Sequence, residues 1–320
     1  MVGPEPDKDN GTICKPLTAH LDTPHRQADV HWFPLALICA LALGAADALT
    51  RHYFRDYRGW ELVLLRFAVP GLLLAPLALA RPLPPGLPPA FWGGLLVLAP
   101  LELLAMWLYM RAIRDSPLHL TLPYLAFTPV FNVLTGYLLL GEAVSGRGFA
   151  GILLVMSGAW LLNLNRRARG LWRGVLDPLR AIARERGART MLLVALIYSV
   201  TSVLGKRVMQ YATPETFGAF YFVLLGGVVL AATVIVRPRG LGVLVRRPWP
   251  LLLVGLLLAV MVVTHFIAIA GVEVAYFLAV KRSSMIFAIL FAMILFHERP
   301  AGRHLVASLL MIAGVAMILL

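Results

Sequence analysis

From residue 32 to the end of the chain, mostly apolar runs of about 18 to 23 residues follow one another with short polar joins. Each is long enough to cross a hydrocarbon layer of roughly 30 Å as a helix. Ten runs are predicted, near 32–50, 60–80, 90–112, 118–140, 147–164, 190–210, 215–236, 249–271, 274–296 and 302–320. Trp32, Trp60, Trp92 and Trp249 each stand at the start of a run, where amphipathic rings favour the headgroup layer. The pattern predicts an all-α polytopic membrane protein. Residues 1–31 form a polar tail with Pro4, Pro6 and Pro16. This tail lacks the charged, apolar and cleavable regions of a signal peptide and is expected to be disordered.

One long connection, 165–189, divides the chain. It holds eight arginines, from Arg166 to Arg189, and an apolar face made by Leu171, Trp172, Val175, Leu176 and Leu179. It predicts a basic amphipathic loop lying on the membrane. The halves on either side, 32–164 and 190–320, match at a constant offset of 156 residues. Thr50-Arg51 falls on Lys206-Arg207, Ala112-Ile113 on Ala268-Ile269, Phe131 on Phe287, Glu142 on Glu298 and Gly158 on Gly314. Each half carries five runs, an odd number, so the second must enter the membrane upside down. An inverted repeat of this kind places a binding site near the midplane, between the halves.

Composition strengthens the membrane reading. With 60% hydrophobic residues, 14% charged residues and a mean hydropathy of +0.81, the chain has more apolar surface than one globular core could hide. The net charge of +13 sits largely in the joins, as in a protein beside anionic lipid, and not as in a nucleic-acid reader. Cys14 and Cys39 have no metal-ligand spacing, and no Gly-rich phosphate loop, zinc motif or nucleophile elbow is present. An enzyme, a bound cofactor or metal, and an ATP-driven pump are therefore not expected from this chain.

Charges within the runs carry the candidate chemistry. The stretch from Val280 to Pro300 holds Lys281 and Arg282 near its start. A charge at such depth costs roughly 2.5 to 3.5 kcal/mol on insertion scales, so it is kept where it meets protein, a wet cavity or an anion. An anchoring pair for an anionic substrate and an internal ion pair both satisfy that condition. His265 lies at about the depth of Lys281, and its repeat mate is Tyr109; both could donate hydrogen bonds to a substrate. Glu102 lies mid-run, where pairing, protonation or proton coupling would explain it. Asp47, Glu61 and Arg66 gather toward the opposite face as a gate, an ion-pair cluster or interfacial charges. Lys206 and Arg207 are expected to snorkel to the interface. Glu142 and Glu298 precede helix starts and are expected to serve the fold as caps. Ala275, Ala279 and Ser283 form a small-residue stripe suited to close helix packing.

Each repeat ends on a helix closing near a glutamate, a turn with glycine and a glycine-bearing last helix: Gly141-Glu142-Ala-Val-Ser-Gly146-Arg147, and His297-Glu298-Arg-Pro-Ala-Gly302-Arg303. Over residues 32–320 the chain resembles the drug/metabolite transporter superfamily, EamA type. The resemblance implies ten spans in two inverted five-helix repeats and secondary transport, in a bacterial cytoplasmic membrane. Val280-Lys281-Arg282 is also similar to a motif of the phosphate-translocator branch, which implies that Lys281 and Arg282 bind an anionic group. That branch has a further lysine on its fourth helix, and the run 118–140 has none.

The function expected is secondary transport of a small anionic metabolite, by ion coupling or solute exchange. The alternatives are efflux of amino-acid-like or amphipathic drug-like compounds, and a non-transporting lipid-handling or accessory role. The partners expected are a small-molecule substrate and the lipid bilayer, with no oligomeric state implied. About seven Lys and Arg fall on the N-terminal side of the membrane and about nineteen on the other, which would place both termini outside. The family resemblance implies the reverse, and here the charge bias is followed.

Overall fold

In a bilayer no water satisfies backbone N–H and C=O groups, so a spanning chain must bond them internally. The computed structural model meets this condition with helices alone among the described residues, which are 32–115, 121–162, 185–296 and 302–320. The polar tail, most of the basic connection and Glu298 lie outside them. Apart from a single turn at Val243–Arg246, the helices are α1 (Trp32–Tyr53), α2 (Gly59–Ala80), α3 (Pro89–Asp115), α4 (Thr128–Leu140), α5 (Gly146–Leu162), α6 (Arg186–Met209), α7 (Pro214–Val236), α8 (Pro248–Ala270), α9 (Val274–Lys281), α10 (Ser284–Phe296) and α11 (Gly302–Leu319). A 3-10 segment, Leu122–Phe127, leads into α4. Local signals set several boundaries. Pro214 opens α7 behind Thr213, whose side chain accepts from the Thr216 N–H. Gly141, at φ +71°, closes α4 in the left-handed region that glycine tolerates.

Eight segments of the described chain are long and apolar enough to cross a membrane, counting 122–140 and 274–295 as one each. The fifth and last helices are shorter apolar helices. Two expected continuous runs are broken. The run 118–140 is 3-10 before it is α-helical, where Pro123 and Pro129 withhold N–H donors. The run 274–296 is interrupted at Arg282-Ser283, where the Arg282 N–H reaches Ala279 (3.1 Å) and the Ser283 N–H reaches Val280 (2.9 Å). These are the shorter i to i+3 bonds of a 3-10 turn. Nothing in the second repeat's own residues announces this break, since it holds neither Pro nor Gly there. The repeat does: α4 and α10 begin and end at positions 156 apart.

Helix pairing follows the same exchange. α2 packs on α7 and α5 on α11, while α1 packs on α8 and α10 as α6 packs on α3 and α4. Exchanging the halves returns these pairings, although α8 also packs on α2 where α3 meets α7 only slightly. At the α5–α11 seam, a Cβ on Gly151 would stand 2.6 Å from the Gly314 carbonyl oxygen, and a Cβ on Gly314 would stand 2.6 Å from that of Gly151. Gly158 meets Ala307 and Met311 further along, so the two helices run antiparallel with backbones in contact. Ala275, Ala279 and Ser283 are buried, and α9 packs on α1, α4 and α5.

Outside the spans, Arg247 grips Asp56 through two bonds (3.0 and 3.4 Å) and lies 6.0 Å from the Tyr57 ring centroid. The hydrogen bond from Arg247 holds the Asp56 carboxyl below its ordinary range, but an exposed pair of this kind contributes little to stability.

Gly151→Ala is expected to lower stability by about 1–3 kcal/mol, because the added methyl meets unyielding backbone. Gly93→Ala, with nothing within 4 Å of its would-be Cβ, should be neutral or stabilising by about 0.5–1 kcal/mol. Thermal unfolding of the purified protein in detergent compares them, and equal effects would refute the contact-driven seam.

Candidate functional site

The two halves enclose a central cavity of about 460 Å³. Equivalent positions of the repeats line it in pairs: Leu122 with Leu278, Thr128 with Ser284, Met106 with Val262 and Tyr109 with His265. The chemistry is less symmetrical than the scaffold. Lys281 and Arg282 answer to Leu125 and Ala126, Glu102 to Leu258, and Arg66 to Phe222, and all eight face the same cavity.

Lys281 closes α9, and Arg282 follows it in the 3-10 turn. Cations at a helix C-terminus gain about 0.3–1 kcal/mol from the dipole, so the break also gives this pair a favourable backbone setting. Lys281 Nζ stands 2.9 Å from His265 Nδ1. With Lys281 as an ammonium, which has no lone pair, the lysine donates and the imidazole accepts with its own proton on Nε2. The Phe266 and Phe277 rings meet His265 edge-on at 5.0 and 4.8 Å and fix its orientation. Arg282 has the Tyr109 and Tyr198 phenols as electrostatic neighbours. Among the described residues, no carboxylate oxygen lies within 4 Å of Lys281 or Arg282.

Glu102, on α3, faces the cavity, as does Thr201, whose hydroxyl donates to the Tyr198 carbonyl at 3.3 Å. Arg66 and Asp47 form an ion pair whose side chains are one-third exposed or a little more. Glu61 is not part of that pair. Its carboxylate accepts the Arg58 N–H at 2.6 Å and caps the start of α2.

Two expectations are corrected here. Lys206 does not snorkel outward: it lines the cavity and bonds the Glu142 carboxylate at 2.7 Å and the Val272 carbonyl at 2.6 Å. Glu142 does not cap the helix that follows it. Its second oxygen takes the Val274 N–H at 2.8 Å and so caps α9, in the other repeat. Sequence distance hid both, because each partner lies at least 64 residues away. Arg207 does stay outward, donating to the Leu139 carbonyl at 3.3 Å.

Sequence reasoning missed Tyr198, Thr201, Ser202 and Tyr221, which also line the cavity. The run Tyr198-Ser199-Val200-Thr201-Ser202, polar in the middle of an apolar helix, was the available signal. Tyr221 carried none, being one aromatic among many. Its hydroxyl is buried without a hydrogen-bond partner among the described residues. No three His, Cys, Asp or Glu side chains converge as a metal site among the described residues.

The sequence matches the EamA-like transporter family over residues 31–164 and again over 186–320. A solved protein structure matches with a TM-score of 0.70 at 18% identity, over 90% of this chain and 98% of that one, and at such identity the likeness speaks for fold alone. No curated protein matches at a significant level.

Breaking the Lys206–Glu142 pair from one side should leave a charge without its partner. Glu142→Gln or Lys206→Met alone is expected to cost on the order of 2–4 kcal/mol, with the double variant recovering part of the loss. A double-mutant cycle on thermal stability measures this, and additive losses would show that the pair is not coupled.

Proposed function

The chain belongs to the EamA-like transporter family and is a multi-pass membrane transporter, and on that premise we propose that its cargo is a small anionic metabolite, held between Lys281 and Arg282. Ten spans in two inverted repeats would carry it by alternating access, driven by ion coupling or solute exchange, in a bacterial cytoplasmic membrane. The observation that carries this reading is the state of the two cations. Both face the cavity, and neither has a carboxylate within 4 Å among the described residues. A direct ion pair, the other reason to keep charges at that depth, is not made there, and Glu102 and Asp47 act on Lys281 only through space. Arg282 can hold a carboxylate or phosphate through two N–H bonds, with Lys281 adding a point charge.

A second reading has one observation in its favour. Glu102 is also without a cation within 4 Å among the described residues, so an amino-acid-like solute could set its ammonium there and its carboxylate against Arg282.

Purified wild type and the Lys281→Ala/Arg282→Ala variant are compared by thermal unfolding with small phosphates, carboxylates, amino acids and cationic drugs. A ligand at 100 times its Kd stabilises the folded form by about 2.7 kcal/mol. Anions are expected to raise the wild-type midpoint by several degrees and to leave the folded double variant unmoved. Stabilisation of both proteins alike by cations or neutral solutes would refute the assignment.

A further inference from the structure

The Lys281–His265 contact carries more than anchoring. Two basic nitrogens 2.9 Å apart can hydrogen-bond only if one offers a lone pair, so the pair holds one proton fewer than its full complement. A second proton would set two cations side by side. What could balance that charge is read from the groups that face His265. Asp47 is spent on Arg66 of α2, and Lys206 of α6 on Glu142. Cys39 of α1, and the phenols Tyr109, Tyr198 and Tyr221 of α3, α6 and α7, are neutral near pH 7 at their ordinary values. Arg282 is a further cation. Glu102 is a carboxylate on the cavity wall that lies beyond 4 Å of Lys281 and acts on it only through space.

We infer that His265 is a proton-binding site linked to the anion site: an anion entering between Lys281 and Arg282 brings the charge that lets His265 take up a proton. The inference rests on the anion reading and names the ion that would couple to it. His265 Nδ1 accepts the proton from solvent, and the Lys281 ammonium keeps its three protons and turns from the imidazolium toward the anion. No bond other than N–H forms, and no oxidant or reductant is needed. Binding linkage is reciprocal, so the proton strengthens the anion as the anion strengthens the proton. Anion and proton held in one cavity cross together, in the same direction.

The test uses probe anions whose charge is constant between pH 6 and 8, sulfate and benzoate, on the full chain in detergent. Isothermal titration in two buffers of different ionisation enthalpy gives Kd and the number of protons taken up. In the wild type, Kd is expected to weaken by up to about tenfold per unit rise in pH, with up to one proton bound per anion. His265→Gln, and His265→Asn should the first not fold, keep a side chain that cannot titrate, so binding should lose its pH slope and its proton uptake. Glu102→Gln, whatever it does to Kd itself, should keep the pH slope and the proton uptake. Wild-type binding that is flat in pH with no proton uptake overturns the inference and leaves the anion site standing. Loss of the slope in Glu102→Gln instead of the His265 variants also overturns it, by placing the proton on the carboxylate. If neither sulfate, benzoate nor any anion of the stability screen binds, the anion site and its proton fall together.

Discussion

Hydrocarbon offers an ammonium or a guanidinium nothing to bond to, and the placement of Lys281 and Arg282 is the constraint to which the surrounding helices answer. Two charges in one turn would each cost roughly 2.5 to 3.5 kcal/mol against lipid. They are held instead on the wall of a cavity that both repeats enclose. Several local features serve that placement. The helix breaks at Arg282-Ser283, which puts the cations at the C-terminus of α9. His265 accepts a hydrogen bond from the ammonium, and Phe266 and Phe277 hold its ring for that purpose.

Symmetry governs the scaffold and is abandoned in the site. The seam of α5 and α11 depends on reciprocal glycine contacts that neither repeat could make alone, and the pairing of helices survives exchange of the halves. Backbone approach leaves little room for variation: Gly158 recurs as Gly314, and Gly151 recurs as the equally small Ala307, whose carbonyl meets Gly158. Side chains on a cavity wall face no such limit. At one set of equivalent positions Leu125 and Ala126 stand where Lys281 and Arg282 stand in the other. The result is a cavity in which each repeat sets charged side chains opposite apolar ones of its mate.

The fold was legible because its signals are local and repeated. Run length, tryptophans at run starts and the fixed offset needed no knowledge of tertiary contacts. Cavity residues with a charge in an apolar run were legible for a related reason, since Lys281, Arg282 and Glu102 could be accommodated in few other ways, whereas Arg66 was expected toward the opposite face and lines the same cavity. Lys206 and Glu142 were misread because each lies near a helix end, where local rules give a sufficient account: snorkelling for one, capping for the other. Their actual partners are on other helices, which no local rule can supply. Tyr221 was illegible for the opposite reason, since an aromatic ring fits an apolar run whether or not its hydroxyl is used. The break in 274–296 shows a middle case, absent from the segment's own composition but implied by Pro123 and Pro129 one repeat earlier.

The position of the Glu142 latch bears on how such a cavity could open. One carboxylate on the first repeat holds Lys206 Nζ and the Val274 amide, both on the second, and Lys206 is itself part of the cavity wall. Any rocking of the halves that parted them would leave a carboxylate, an ammonium and a helix-terminal N–H seeking partners at once. In a dry interior that would be prohibitive; at a site opening to water, solvent would replace each bond as it broke. The Lys206 and Glu142 side chains keep 19% and 13% of their surface exposed, so water already has access to them. The Asp47–Arg66 pair, with 39% and 33% exposed, joins α1 to α2 within one repeat and would survive the same motion. Lys206–Glu142 and Arg247–Asp56 join the repeats while Asp47–Arg66 lies within one, so a movement of one half against the other would have to break the first two pairs while carrying the third along intact.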